Sequence, residues 1–216
     1  MFNNIRTVVI NFQTPDLLKT AVETYRRFYP ECLLTIVDNG SKDASKKIIE
    51  ELRLASPKYT TTIYLDSNIY HGPAMDMAMK KINEEYVFFL DSDTETKKGG
   101  FLESMQSGLE SDERAYGIGF TYTVNKRGFP SPSGILVLAP AFMMLRRLWY
   151  KKFPPFEHHG QPILKNFKAA QEQGYTLTPY PIDTFIDHRW RGTAERFGYG
   201  LGWKGKMDFL LNKIGM

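Results

Sequence analysis

Cysteine is nearly missing: one residue, Cys32, stands among 216. A single thiol cannot close an intramolecular disulfide or build a cysteine zinc cluster, so a stapled secreted scaffold is excluded and a reducing compartment is expected. Long apolar runs are missing as well, and none reaches the roughly 18 residues a membrane-spanning helix needs. Residues 1–20 lack the basic-then-apolar layout of a signal peptide. A cytoplasmic protein is the resulting expectation. Internal repeats, linkers and low-complexity tracts are also missing, so the whole chain, 1–216, reads as one domain. What is present is 42% hydrophobic and 24% charged, the balance of a globular chain that buries a core.

Charge of one sign is confined to one end. Residues 189–216 carry six basic side chains (Arg189, Arg191, Arg196, Lys204, Lys206, Lys213) against Glu195 and Asp208. The net charge of +4 therefore resides entirely in that tail. A basic end suits phosphate, on a nucleotide, a nucleic acid or an anionic lipid. Trp203, Met207, Leu210, Leu211 and Ile214 recur there at helical spacing, a face that suits packing on its own domain, a second copy in a homo-oligomer, or peripheral membrane contact.

The first ninety residues alternate strand and helix. Thr7–Phe12 is a β-branched run of the kind buried in a parallel sheet. Thr14 then offers an N-cap with Pro15 at the first helical position. Leu33–Val37 reads as a second strand, Asp38–Ser41 as a turn and helix cap, and Thr61–Leu65 as a third strand before a helix over about 71–82. Tyr86–Leu90 is the most hydrophobic strand, predicted to be central. Strands separated by helices of this length call for right-handed parallel crossovers and an α/β sheet covered on both faces. Later segments read as a helix near 99–109, a strand at 115–124, a turn-rich loop at 125–134, an apolar return at 135–145 and a helix over 160–174. The alternating Met75, Met77 and Met79, with Met143 and Met144, read as packing rather than a soft-metal site.

Ligands of open parallel sheets bind beyond the carboxyl ends of the strands. Acidic residues fall at such ends here: Asp38 after the second strand, Asp66 after the third, Asp91-Ser92-Asp93 after the fourth. Several carboxylates on one rim repel unless a cation joins them. Paired oxygen ligands on a turn suit Mg²⁺ or Mn²⁺, which share octahedral sites between a few carboxylates and substrate phosphates. Capping and turn formation remain the alternative for Asp38.

In order and spacing, Thr7–Phe12 with Thr14-Pro15, Val37–Asp43, Asn68, Gly72-Pro73-Ala74, Phe88–Asp93, and His188 before Arg191-Gly192-Thr193 resemble the family-two nucleotide-sugar glycosyltransferases of the GT-A fold. The resemblance covers roughly residues 5–195. It implies a single Rossmann-like domain, with a mostly parallel sheet flanked by helices and a small antiparallel extension in the C-terminal half. It also implies a nucleotide-sugar-binding half (1–95), an acceptor-side half (96–195) and the basic amphipathic tail (196–216). On this resemblance Asn11, Phe12 and Thr14 line the base and ribose, and Asp38 accepts a hydrogen bond from the base, usually uracil. Asn39, Asn68, Gly72, Pro73 and Ser92 belong to the donor-facing segments, with the backbone at Gly72 passing close to the nucleotide. Asp91 meets the ribose or a metal-bound water, Asp93 binds the metal, and His188 is a further metal ligand. Independently of the resemblance, Arg189 and Arg191 near that metal would add charge-assisted contacts to the phosphates.

One departure stands out. Inverting members usually carry an acidic pair, often Glu-Asp, before the helix that here starts near Gly160, and this chain has Phe156-Glu157-His158-His159-Gly160. Glu157, His158 and His159 are the candidates for the catalytic base, since a base needs a pKa near working pH and reach to the acceptor hydroxyl. The implied activity is transfer of a sugar from a UDP-sugar, with Mn²⁺ or Mg²⁺, to a glycan, a lipid-linked sugar or modified bases in DNA. From other classes, a sugar-phosphate nucleotidyltransferase is disfavoured because the loop Asn11–Pro15 holds no glycine. A non-catalytic donor-binding module remains an alternative.

Overall fold

The structure, a computed structural model, describes residues 4–157 and 162–188. Its first half follows the strand–helix rhythm of the sequence: β1 (Ile5–Asn11), α1 (Pro15–Phe28), β2 (Leu33–Asp38), α2 (Ser45–Ala55), β3 (Thr60–Tyr64), α3 (His71–Lys81) and β4 (Tyr86–Asp91). There follow β5 (Thr94–Thr96), α4 (Phe101–Glu110), β6 (Ala115–Val124), β7 (Ile135–Arg146), the short α5 (Arg147–Tyr150), α6 (Leu164–Glu172), β8 (Thr176–Pro179), a 3₁₀ turn at Ile182–Thr184, and β9 (Ile186–His188).

Seven strands form one sheet in the order β3-β2-β1-β4-β7-β6-β8. The four N-terminal strands are parallel, β7 runs antiparallel to β4 and β6, and β8 is parallel to β6. β4 is the middle strand, as its hydrophobicity predicts. Period-two alternation sends Tyr86, Phe88 and Leu90 to one face and Val87 and Phe89 to the other. On the first face they meet Leu18, Val22 and Tyr25 of α1 and Phe101, Leu102 and Met105 of α4. On the second they meet Ala74, Met75, Ala78 and Met79 of α3 and Phe167 and Ala170 of α6. The methionines are packing groups: Met75, Met79, Met143 and Met144 are fully buried, and Met77 packs against the second core.

Register sets the rim. Asn11 lies beside Asp38, and Ile10 beside Asp91, so β1, β2 and β4 end almost level. The polar residues that close these three hydrophobic runs therefore share one edge.

Three local expectations need correcting. Thr14 precedes α1, but its hydroxyl makes no cap bond and donates instead to Asn11 Oδ1 at 3.0 Å. Ser41 does not cap α2, which begins only at Ser45; Asp43 Oδ1 accepts from the Ser45 N–H at 3.0 Å. The last helix starts at Leu164 rather than near residue 160.

Candidate active site

β4 ends in Asp91, and the chain turns through Ser92 and Asp93 into β5, with the Thr94 hydroxyl donating to the Asp91 carbonyl at 2.7 Å. β5 pairs antiparallel with β9 in a separate two-stranded ribbon, Thr94 opposite His188 and Thr96 opposite Ile186. That ribbon is anchored to α1 by the Thr96 N–H, which donates to Thr24 Oγ1 at 3.1 Å. A three-residue pairing thus returns the far end of the described chain to the acidic turn.

His188 Nε2 lies 3.0 Å from Asp93 Oδ1 and 3.7 Å from Asp91 Oδ2. Asp91, Asp93 and His188 each offer a ligand atom within 4.8 Å of the others. Asp93 is buried, and Asp91 is partly open at the rim. Burial pushes the His188 imidazole down, but hydrogen bonds to Asp91 and Asp93 and their charges outweigh it and raise it to about 9. Burial pushes Asp91 up, yet the His188 hydrogen bond and the His71 charge hold it below the usual carboxylate range. A carboxylate can only accept, so the proton on Nε2 bridges His188 to Asp93. That proton sits where a cation would bind. Two carboxylates and an imidazole around one point fit Mn²⁺ and accommodate Mg²⁺ by donor chemistry.

The loop after β1 and the turn after β2 form the adjoining wall. Asn11 is fully buried and bound at both ends: Nδ2 donates to Asp38 Oδ1 (3.4 Å) and Ser41 Oγ (3.3 Å), and Oδ1 accepts from Thr14. The Thr14 hydroxyl is also 3.3 Å from Ser92 Oγ, which ties this wall to the acidic turn. Phe12 is half-buried beside Gln13, whose φ of 54° is strained for a side chain with a β-carbon. The Gln13 N–H donates to Ser41 Oγ at 2.9 Å. Asp38 is fully buried, and its Oδ2 has no hydrogen-bond partner among the described residues.

Asn39 and Asn68 pair across two loops. Asn39 Nδ2 donates to Asn68 Oδ1 at 3.1 Å, and Asn39 Oδ1 accepts from the Ile69 N–H at 3.0 Å. Gly40, at φ 77°, lies so close to Ser67 that any β-carbon there would overlap its backbone. Gly72 also stands in a close approach, but to protein. A β-carbon there would overlap the Glu157 carbonyl oxygen and crowd Pro162. The close passage of Glu157 and Pro162 is itself a physical reason for glycine at 72. Pro73 is half-buried in the first turn of α3.

Glu157 is exposed, and its carboxylate accepts from Lys165 Nζ at 2.8 Å. Its N–H donates to the Pro162 carbonyl, which joins the two sides of the 158–161 interval. His158, His159, Arg189, Arg191 and the basic tail lie outside the described residues. Asp66 is exposed in the loop after β3.

His71 was not singled out by sequence reasoning. Its Nε2 is 3.6 Å from Asp91 Oδ1, which makes it a second imidazole at the rim. The available signal was its place as the first residue of a helix that follows a strand of the same sheet.

Residues 7–193 match the family described as glycosyl transferase family 2. The chain belongs to that family. Solved relatives share its fold: the mannosyltransferase PcManGT of Pyrobaculum calidifontis, in complex with GDP-Man and Mn²⁺, superposes with a TM-score of 0.67 at 14% identity, over 82% of this chain and 55% of its own. S. aureus TarS residues 1–349, in complex with UDP-GlcNAc, gives 0.63 at 17% identity, over 85% and 57%. At such identities the likeness is one of fold, and it covers little more than half of either relative. A teichoic acid poly(glycerol phosphate) polymerase of Staphylococcus epidermidis is 29% identical over 94 residues, 43% of this chain and 13% of its own length. This glycosyltransferase accordingly has the mostly parallel sheet and small antiparallel ribbon expected of the GT-A fold.

Proposed function

We propose that this glycosyltransferase moves a sugar from a UDP-sugar to an acceptor hydroxyl, with Asp91, Asp93 and His188 holding a divalent cation, Mn²⁺ or Mg²⁺. The observation that carries the reading is the meeting of that triad at one end of a rim whose other end holds the Asp38 Oδ2, which has no partner among the described residues. An unsatisfied buried carboxylate oxygen costs about 1–3 kcal/mol, more when charged, and a ligand donor recovers it. The N3–H of uracil is such a donor. Cytosine presents an acceptor at N3, so the same oxygen discriminates between them.

A bound cation supplies Lewis-acid stabilisation of the charge that develops on the leaving diphosphate. Asp93 and His188 fix the place of that charge. Asn11, Thr14 and Ser41 keep Asp38 and the β1 loop rigid, so that the base and the diphosphate are oriented together. The proton of the acceptor hydroxyl goes to a base on the 157–159 segment, from Glu157, His158 or His159. Attack of the acceptor oxygen opposite the leaving diphosphate would invert the anomeric centre.

Mn²⁺ in the PcManGT complex and UDP-GlcNAc in the TarS complex support the metal and donor class. The relative that polymerises the poly(glycerol phosphate) of teichoic acid supports a polymer of that kind as acceptor. Release of UDP from a panel of UDP-sugars, with Mn²⁺ and with chelator, tests the proposal. Mn²⁺-dependent release is expected, and binding with no turnover on any acceptor would leave only a donor-binding module.

A further inference from the structure

We infer that His71 is a positioning residue: it engages one oxygen of Asp91 so that the other faces the cation site. The inference rests on the metal role proposed above for Asp91, Asp93 and His188. His71 Nε2 lies 3.6 Å from Asp91 Oδ1, while His188 Nε2 lies 3.7 Å from Oδ2, the opposite oxygen. The carboxylate thus lies between two imidazoles from distant parts of the chain, and His71 acts on it through charge. An outer partner of this kind limits rotation of a ligand carboxylate and sets which oxygen is presented.

The backbone on either side of His71 is braced. Before it, Asn68 Oδ1 accepts from both Asn39 Nδ2 and the Tyr70 N–H (2.7 Å), and Gly40 leaves no gap between the two loops. Tyr70 itself adopts φ 70°, a conformation that side chains with a β-carbon enter at a cost of about 1–3 kcal/mol and that persists only when surroundings enforce it. After His71, Gly72 packs against the Glu157 carbonyl. The brace therefore runs from the Asp38–Ser41 turn, through Asn39, Asn68 and Tyr70, to His71 and on to Asp91. It connects the base-reading wall to the cation site without passing through a ligand.

The test is Mn²⁺ binding without nucleotide, followed by electron paramagnetic resonance of the free ion, on the full chain. His71→Ala is expected to weaken Mn²⁺ by about tenfold, the low end of the loss usual for outer partners of metal ligands. His71→Gln, which offers Asp91 a neutral N–H donor in place of the imidazole, recovers part of that loss. In an Asp91→Asn background the His71→Ala change has no further effect, because the group it positions is already altered. Uridine affinity stays at the unaltered level in His71→Ala, which reports that the brace is intact. Unchanged Mn²⁺ affinity in His71→Ala, or full additivity with Asp91→Asn, overturns the positioning role while leaving the metal site standing. An unaltered chain that binds no Mn²⁺ overturns both.

Discussion

His188 Nε2 and Asp93 Oδ1 are 3.0 Å apart although 95 positions separate them in the chain. The contact exists because β9 pairs with β5 and sets His188 opposite Thr94. Binding of a cation at this point must displace the proton that now joins the two side chains.

That displacement fixes a pH dependence. His188 is raised to about 9 in the folded protein, above its ordinary value near 6.5. Below about 9, Mn²⁺ affinity should therefore rise about tenfold per pH unit, then level off. The same shift stabilises the metal-free protein fully below about pH 6.5, and the contribution is lost as pH rises through about 9. The increase in melting temperature on adding Mn²⁺ should consequently grow between pH 7 and 9. A Mn²⁺-induced increase that stays flat across that range would contradict the shared proton.

Asp38→Asn removes the charge from an oxygen that no described side chain satisfies. The folded protein should be unchanged or more stable in thermal melts, because a buried charge has been replaced by a neutral amide. UDP should bind about 10- to 100-fold more weakly, the value of a hydrogen bond to a charged group. Preference for UDP over CDP should fall with it. A less stable protein with unaltered UDP affinity would assign Asp38 to structure alone.

Gly72→Ala places a methyl group on the Glu157 carbonyl oxygen. The obstacle is backbone, so the chain at Glu157 must shift, at about 1–3 kcal/mol for overpacking. Turnover should drop more than metal-free UDP affinity, because Glu157, which leads to the candidate bases, moves while Asp38 stays. Equal losses in both, or none, would argue against a role of this segment in transfer.

Much of this architecture was readable because its signals are local. The β-branched run of β1, the hydrophobicity of β4 and the Pro15 start of α1 each specify an element directly. The level ending of β1, β2 and β4, which gathers Asn11, Asp38 and Asp91, follows from parallel pairing. β5 and β9 were not readable, since three residues such as Thr94–Thr96 carry no periodicity and their pairing is long-range. His71 escaped notice because a histidine opening a helix looks like a surface residue until Asp91 is found beside it. Thr14 and Ser41 were misjudged because their hydroxyls fit helix caps, whereas Thr14 bonds back three residues to Asn11 and Ser41 is taken by Asn11 and Gln13 from the distant β1 loop.

The central claim is that Asp93 and its neighbours hold the cation that meets the donor's diphosphate. Calorimetric titration of UDP into the unaltered protein and Asp93→Ala, each with and without Mn²⁺, tests it most directly. The account predicts that Mn²⁺ strengthens UDP binding to the unaltered protein and has no effect on Asp93→Ala, whose melting curve without metal remains cooperative. Equal enhancement by Mn²⁺ in both proteins would contradict it.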